Sequence, residues 1–519
     1  MARYYCFPSF CVAVCCVLAC SVSCYNVTDV NLPEEHLSYY FNAFPSVAEK
    51  CRNDSSCPYK AYLNKTACWG FEPGCRPENA FQQPKCTSHH KGWVKSKEEQ
   101  LSTFYSQADF GYIRDQMNEM KIMCEPLFRD DSSLECSEHL RFCRGRNIMI
   151  NLTDLASKTQ PMRYKMDILS QGQIGGYCSF HEQRLLDQCD HVSPLQSWAP
   201  ELRYFTKLSR RPIENNDCDI VIDKPTFIMK IDAAVNMYHH FCDFFNLYAS
   251  LHLNATHPDA FTTDVNILIW ETYTYTSSFS AAFKAFTQHP ILDLKAFRGD
   301  VVCFKNVVFP LLPRMIFGLY YNTPIIHGCE GSGLFKAFSE FMLHRLGIAS
   351  RPPLSTTSAV EDEEEEEKIQ HDKHKIRVTL LSRETTYRRI LNEDELLDAL
   401  RNNPDYSVQR VVYSRHLPFR KQLELTHHNE NCYKDLARLR GIKYLTWEKQ
   451  DELQQEDEGH HPDGGAHAKF TNYAFDVEEF VRLVGVAAQH VRQHEAYRAL
   501  RNATSTTKDT PQFTSHDEL

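Results

Sequence analysis

The chain of 519 residues predicts an α/β fold, with two Rossmann-like lobes and a cysteine-rich N-terminal lead-in. Three observations carry that expectation. Apolar runs rich in β-branched residues alternate with helical patterns from about 150 to 350, and again after 375. An acidic, proline-containing break separates the two stretches, and cysteines crowd the early part of the chain. A hydrophobic content of 42% supplies enough apolar surface for large cores, and the length suits two to three domains.

Residues 1–23 read as a signal peptide, with Arg3, an apolar stretch from Phe10 to Cys20, and small residues at Ser21 and Ser23 for cleavage. The apolar stretch is shorter than the roughly 20 residues of a comfortable membrane span, so an uncleaved anchor is the secondary reading. No later stretch is apolar for long enough to cross a bilayer. The chain closes on His516, Asp517, Glu518 and Leu519, a tetrapeptide of the kind read by the receptor that retrieves proteins to the endoplasmic reticulum. The two ends together predict work in the lumen of the endoplasmic reticulum.

Residues 24–150 form the expected disulfide-rich region. Cys51, Cys57, Cys68, Cys75, Cys86, Cys124, Cys136 and Cys143, with Cys178, Cys189 and Cys218 beyond them, read as disulfides of an oxidising compartment. No Cys-x-x-Cys pair occurs among them, which speaks against zinc. Asn-x-Ser/Thr sequons at Asn26, Asn53, Asn64, Asn151, Asn254 and Asn502 fit a glycoprotein of the secretory route.

Residues 151–349 make the first expected lobe. Its strands are CDIVIDKPTFIMKID (218–232), VNILIWETY (265–273) and VVCFKNVVF (301–309), and its helices include VNMYHHFCDFFNLY (235–248) and GLFKAFSEFMLHRL (333–346). Residues 350–375 read as a linker or surface loop, because RPPLSTTSAV and the run EDEEEEE (361–367) cannot bury a core. That run supplies seven negative charges against a net charge of −10, so the remainder is nearly balanced and suits no nucleic-acid binder.

Residues 376–500 make the second lobe, with strands IRVTLLSR (376–383), VQRVVYSR (408–415) and KYLTW (443–447). Its helices are NEDELLDALR (392–401) and an amphipathic segment within FTNYAFDVEEFVRLVGVAAQHV (470–491), capped by Asp476. Residues 501–519 are the tail. Ligands of such sheets bind outside the carboxyl ends of the strands, in a cleft between the lobes.

In the segment 235–248, Met237, Phe241, Phe244 and Tyr248 form an apolar stripe. Asn236, His240 and Asp243 follow i, i+4, i+7, and His239 with Asp243 is an i, i+4 pair. An imidazole beside a carboxylate can take a proton from a hydroxyl, the carboxylate fixing the ring's tautomer. A structural polar face and a partial metal site are the other two readings; catalytic zinc needs three protein ligands. Arg383, Arg388 and Arg389, just past the strand 376–383, suit a diphosphate or a solvated basic turn. The turn GCEGSG (328–333) is either a phosphate cradle or a glycine-rich helix start.

Several longer blocks are more specific. LPEEHL, CPYKAYL, QADFGYIRDQM, GQIGGYC, SPLQSW, KPTFIMKIDAAVNMYHHFCDFFNLY, LLPRM, YNTPII, CYKDLARLRGIKYLTW, GHHP and KFTNYAFDVEEF resemble the EGF domain-specific O-linked N-acetylglucosamine transferases, a family shared with plant xylosyltransferases. The resemblance runs from about residue 30 to the terminus, apart from the acidic insert. It implies a GT-B fold and an inverting glycosyltransferase, moving N-acetylglucosamine from UDP-GlcNAc to Ser or Thr of folded EGF repeats. Its partners would be Notch-like and extracellular-matrix proteins. Within that reading, His240 and Asp243 serve the acceptor hydroxyl, Asn236 and His239 support them, and Arg383 with Arg388 meets the donor diphosphate.

The chain departs from the family pattern twice. Gln288, His289 and Pro290 occupy the place of an Asp-Tyr-Asp motif, which leaves the requirement for a divalent metal open. After QLELTH the chain passes from His428 almost directly to Asn431, where the family has a further strand, glycine turn and helix. No glycine occurs between Gly347 and Gly441. A donor-site-defective variant that binds EGF repeats in the lumen is therefore the alternative expectation.

Overall fold

The computed structural model describes residues 30–63, 66–87, 89, 94–157, 168–254, 260–316, 318–319, 328–348, 375–412, 419–420, 422, 445, 447, 454–456, 472–494 and 497–498. The signal segment, Asn26, Asn64, the acidic run, the junction at 428–431, Lys443, Tyr444 and Thr446 of KYLTW, Asn502 and the terminal His516–Leu519 lie outside the described residues.

Helices α1 (Glu34–Ala43) and α2 (Pro45–Asn53) lead to strand β1 (Lys85–Cys86), then α3 (Lys97–Ala108) and α4 (Phe110–Asn118). Five strands follow: β2 (Lys121–Glu125), β3 (Ser133–Cys136), β4 (Cys143–Asn151), β5 (Ile174–Gly176) and β6 (Ser179–Phe180). After the short helices α5 (Glu182–Leu186) and α6 (Ala199–Leu202) come β7 (Phe205–Lys207), β8 (Ile220–Ile222) and β9 (Thr226–Met229). Helix α7 (Met237–Leu253), β10 (Asn266–Ile269), β11 (Leu292–Asp293), β12 (Val301–Phe309), β13 (Cys329–Glu330) and α8 (Gly333–Arg345) complete this part.

Strands β2 to β12 form one eleven-stranded mixed sheet, with main order β11-β10-β9-β12-β4-β3-β2-β6. The half containing β11, β10, β9 and β12 is parallel. Strand β4 runs antiparallel to β12 along eight residue pairs, and β3, β2 and β6 continue antiparallel from it. Strand β12 is VVCFKNVVF over the residues expected, and its buried valines and phenylalanines are what a strand covered on both faces needs. The run 218–232 makes two strands, because Asp223-Lys224-Pro225 interrupts it.

The lead-in is not a separate layer. A boundary at 150/151 would cut β4 one residue before its end, and the main hydrophobic core runs from Val30 and Leu37 through Trp69 and Phe110 to Met342. Short strands such as SLEC show too little periodicity to be seen in sequence, yet they complete the sheet. Six disulfides hold this part: Cys51–Cys57, Cys68–Cys75, Cys86–Cys329, Cys124–Cys178, Cys136–Cys143 and Cys218–Cys303. Cys86 and Cys329 lie opposite each other in the β1–β13 pair. Cys189 carries a thiol rather than the expected disulfide. Such pairing suits an oxidising, secretory-route compartment. Among the described residues no helix is long and apolar enough to cross a membrane.

The second part opens as a β-α-β unit. Strands β14 (Ile376–Ser382) and β15 (Tyr406–Val412) pair in parallel, joined through the helix Glu393–Arg401. A small core of Ile376, Leu400, Tyr406 and Ala488 brings in the amphipathic helix Val477–Gln493. Asp476 caps that helix, accepting the Glu479 N–H at 2.7 Å. Strands β16 (Gln454–Glu456) and β17 (Asn472–Ala474) pair antiparallel.

Candidate active site

Strands β9, β10 and β12 are parallel, so their carboxyl ends open on the same edge of the sheet. The chain leaving each end brings one polar residue to the start of α7: Asp232 after β9, Tyr275 after β10 and Arg314 after β12. Asn236 starts the helix, its side chain accepting the Tyr238 N–H at 3.0 Å.

Two linked layers result. In the outer one, His239 Nδ1 lies 2.8 Å from Asp232 Oδ2, and Arg314 Nη2 lies 2.8 Å from Asp232 Oδ1. Asp232 itself is fully buried, whereas the His239 side chain is 24% exposed and that of Arg314 41%. A carboxylate only accepts, so His239 carries a proton on Nδ1 toward Asp232.

The inner layer lies beneath. His240 Nδ1 donates to Asp243 Oδ2 at 2.9 Å, and the Tyr275 hydroxyl donates to His240 Nε2 at 2.7 Å. Asp243 also accepts the backbone N–H of Asp232 at 3.1 Å, which joins the layers. Burial pushes the Asp243 carboxyl up to about 6, against the hydrogen bond from His240, and pushes the Tyr275 hydroxyl up to about 12.

This arrangement corrects the helical-wheel expectation. His239 pairs with Asp232 rather than with Asp243, and Asp243 pairs with His240 three residues before it. Successive helical residues differ by about 100°, so of two adjacent histidines one faces the sheet and the other the opening. His240 and Asp243 have no exposed side-chain surface and both nitrogens of the ring are engaged, so neither can reach an acceptor hydroxyl. Asp232, Tyr275 and Arg314 are the residues that the sequence reading missed. The signal was available: each lies just beyond the carboxyl end of a parallel strand, two of them inside the blocks KIDAAV and LLPRM.

A sequence model of the glycosyltransferase 61 family matches residues 237–430, beginning at the first residue of α7. EGF domain-specific O-linked N-acetylglucosamine transferases of Drosophila melanogaster, Bos taurus and Gallus gallus are 50%, 44% and 44% identical to this chain. The alignments cover 92%, 91% and 91% of this chain, and 94%, 91% and 92% of the relatives. The chain belongs to this family of EGF domain-specific O-linked N-acetylglucosamine transferases.

The remaining positions can be placed on this glycosyltransferase. Arg383, Arg388 and Arg389 are exposed in the turn that leaves the carboxyl end of β14. Arg388 is left-handed, with φ of 64°, and Asn472 pins the turn by accepting the Arg389 N–H at 3.0 Å. Gln288, His289 and Pro290 do not make a cation site. His289 and Lys224 both engage Asp264, with the Lys224 ammonium 2.6 Å from its Oδ1, where a metal would have to sit. The turn before α8 does not cradle phosphate either. The buried Asp109 carboxylate takes the amides of Gly333 and Leu334 at 3.1 and 2.9 Å, and Ser332 caps the helix through the Phe335 N–H. The amides of this helix start are already engaged, and the protein's own carboxyl group engages them.

Proposed function

We propose that this chain transfers N-acetylglucosamine from UDP-GlcNAc, with inversion, to a Ser or Thr hydroxyl of folded EGF repeats in the lumen of the endoplasmic reticulum. The relatives' names give O-linked N-acetylglucosamine transfer specific to EGF domains, and the observation that supports it here is the His239–Asp232–Arg314 relay at the carboxyl ends of β9 and β12. His239 is the general base. It takes the hydroxyl proton on Nε2 as the oxygen attacks the anomeric carbon, and the bond from that carbon to the diphosphate breaks with its electron pair on UDP. Asp232 holds the ring's tautomer and faces the imidazolium as it forms; Arg314 fixes Asp232 in place from its other oxygen. His240, Asp243 and Tyr275 are positioning residues, because they hold the backbone amide of Asp232 from below.

On the donor side, Arg383 and Arg388 answer the charge that develops on the diphosphate, the planar guanidinium matching phosphate oxygens in pairs. The two-lobed GT-B arrangement belongs to this reading, with β14 and β15 as the start of the nucleotide lobe and the acceptor held by the large sheet. Residence in the lumen rests on the signal segment, the six disulfides and the closing His516–Leu519, read by a retrieval receptor.

The short junction between Thr426 and Asn431, and the glycine-free stretch from Gly347 to Gly441, favour a second reading. In it the chain binds EGF repeats but lacks a complete donor site, because a nucleotide site usually wants a glycine turn that lets amides approach phosphate. Intact-mass analysis of a folded EGF repeat after incubation with the purified chain and UDP-GlcNAc decides between them. A gain of one N-acetylhexosamine supports the transferase. No gain, with the repeat still captured by the chain and a segment-restored control active, establishes the binding protein.

A further inference from the structure

Away from the active site, two imidazoles and a carboxylate converge where the hairpin between β3 and β4 meets the loop after α5. His139 lies in the hairpin closed by Cys136–Cys143, and Asp190 and His191 lie in the loop. His139 Nδ1 is 2.7 Å from Asp190 Oδ1, and His191 Nε2 is 3.9 Å from Asp190 Oδ2. The two rings stack with centroids 4.1 Å apart, and one ligand atom from each of the three residues falls within 4.8 Å of the others. We propose that His139, Asp190 and His191 form a divalent-metal site of the zinc class, in which the ion staples this loop to the hairpin.

Two nitrogens and one carboxylate oxygen are a donor set that suits zinc, with a fourth position for water. Bonds of about 2.0–2.1 Å put tetrahedral ligands roughly 3.4 Å apart, so the ion parts His139 from Asp190 by under an ångström, draws His191 in, and turns the two stacked rings until their in-plane lone pairs converge. The His191 ring supports the assignment, since it makes no hydrogen bond of its own. Its Nδ1 is buried without a partner and its Nε2 is beyond hydrogen-bond distance of Asp190. Arg141 is the cation nearby, and Glu119 faces it at 4.0 Å.

His139 and Leu140 both take left-handed backbone angles, φ of 56° and 53°, a conformation uncommon outside glycine. The cost of that geometry is understandable if the hairpin exists to present His139. Side chains 27%, 53% and 16% exposed for His139, Asp190 and His191 leave a path for the ion from solvent. The consequence reaches the catalytic edge. Ser197 donates to the His191 carbonyl, and the buried Lys230 ammonium donates to the Pro194 and Ser197 carbonyls at 2.8 and 3.4 Å. Lys230 lies two residues before Asp232, so the staple fixes the loop on which that strand end rests.

The test uses the full chain, stripped with a chelator and then equilibrated with zinc against a chromophoric competitor, with zinc counted by elemental analysis. The wild type should retain one more zinc per chain than an H139Q/H191Q variant, and zinc should raise the melting temperature of the wild type only. Other histidines bind zinc equally in both chains and cancel in the difference. Because Asp190 is more than half exposed, D190N keeps the fold and supplies a second comparison, with the same loss expected. Equal zinc content in wild type and D190N, or an equal thermal shift, overturns the proposal.

Discussion

Replacing Asp232 with Asn isolates the relay. The buried carboxylate accepts from both Arg314 and His239 at 2.8 Å, and Asn keeps its shape while offering one accepting oxygen in place of two. His239 then loses the partner that fixes its tautomer. A positioned general base contributes about 10²–10⁴-fold, or about 3–5 kcal/mol at 1.36 kcal/mol per decade. Breaking a wholly buried ion pair costs about 3–5 kcal/mol of stability. Here the Arg314 side chain is 41% exposed and stays solvated, so the stability loss should be nearer about 1 kcal/mol. Transfer to a folded EGF repeat, followed by intact mass at saturating UDP-GlcNAc, should show kcat down by about two to four decades with KM little changed. Thermal unfolding of the same preparation reports the fold. A D232N chain that transfers at the wild-type rate, or one whose lost activity is matched by lost folded protein, would refute the relay.

Alanine at Arg383 should raise the KM for UDP-GlcNAc about 10–100-fold, the worth of a charge-assisted hydrogen bond, and leave that for the EGF repeat unchanged; initial-rate kinetics check the split. Asp243, held up to about 6 by burial, binds a proton in the folded chain that the unfolded chain has lost above about 4. Stability from this group therefore falls as pH rises from about 4 to about 6, so the melting temperature of D243N relative to wild type should climb across that window and then level. A pH-independent offset would contradict it. D109A strands the Phe110, Gly333 and Leu334 amides and should lose about 3 kcal/mol in denaturant unfolding, with D109N milder. Removing the Cys86–Cys329 bridge, which spans 243 residues, should cost about 5 kcal/mol by loop entropy; a shift under about 1 kcal/mol would place its stabilising effect elsewhere.

The sequence was most legible where chemistry is local. VVCFKNVVF can hardly be anything but a buried strand, and Asn236 and Asp476 announce helix starts by their side-chain oxygens. It was less legible where the sheet decides. Neither adjacent histidine reveals which one faces the core, because that depends on where β9 and β10 lie beneath α7. Asp232 and Arg314 pair across 82 positions of chain, and Tyr275 reaches His240 from 35 positions away, contacts made by parallel strand ends and by nothing in the local pattern. Asp109 reaches the start of α8 from more than 220 residues away, so a glycine-rich turn that reads as an anion site is already filled. The early cysteine region hid its strands because two- to five-residue segments carry almost no periodicity.

The β1–β13 pair also sets a timetable. Cys86 leaves the ribosome 243 residues before Cys329, an interval of roughly 10–50 s at 5–20 residues per second. Throughout it the Cys86 thiol must wait, while Cys51 and Cys57, Cys68 and Cys75, and Cys136 and Cys143 find partners within seven residues. The short-range pairs thus remove the thiols most able to trap Cys86 wrongly before its own partner emerges. Oxidation that runs too far ahead of synthesis, rather than too little of it, is the hazard this topology creates.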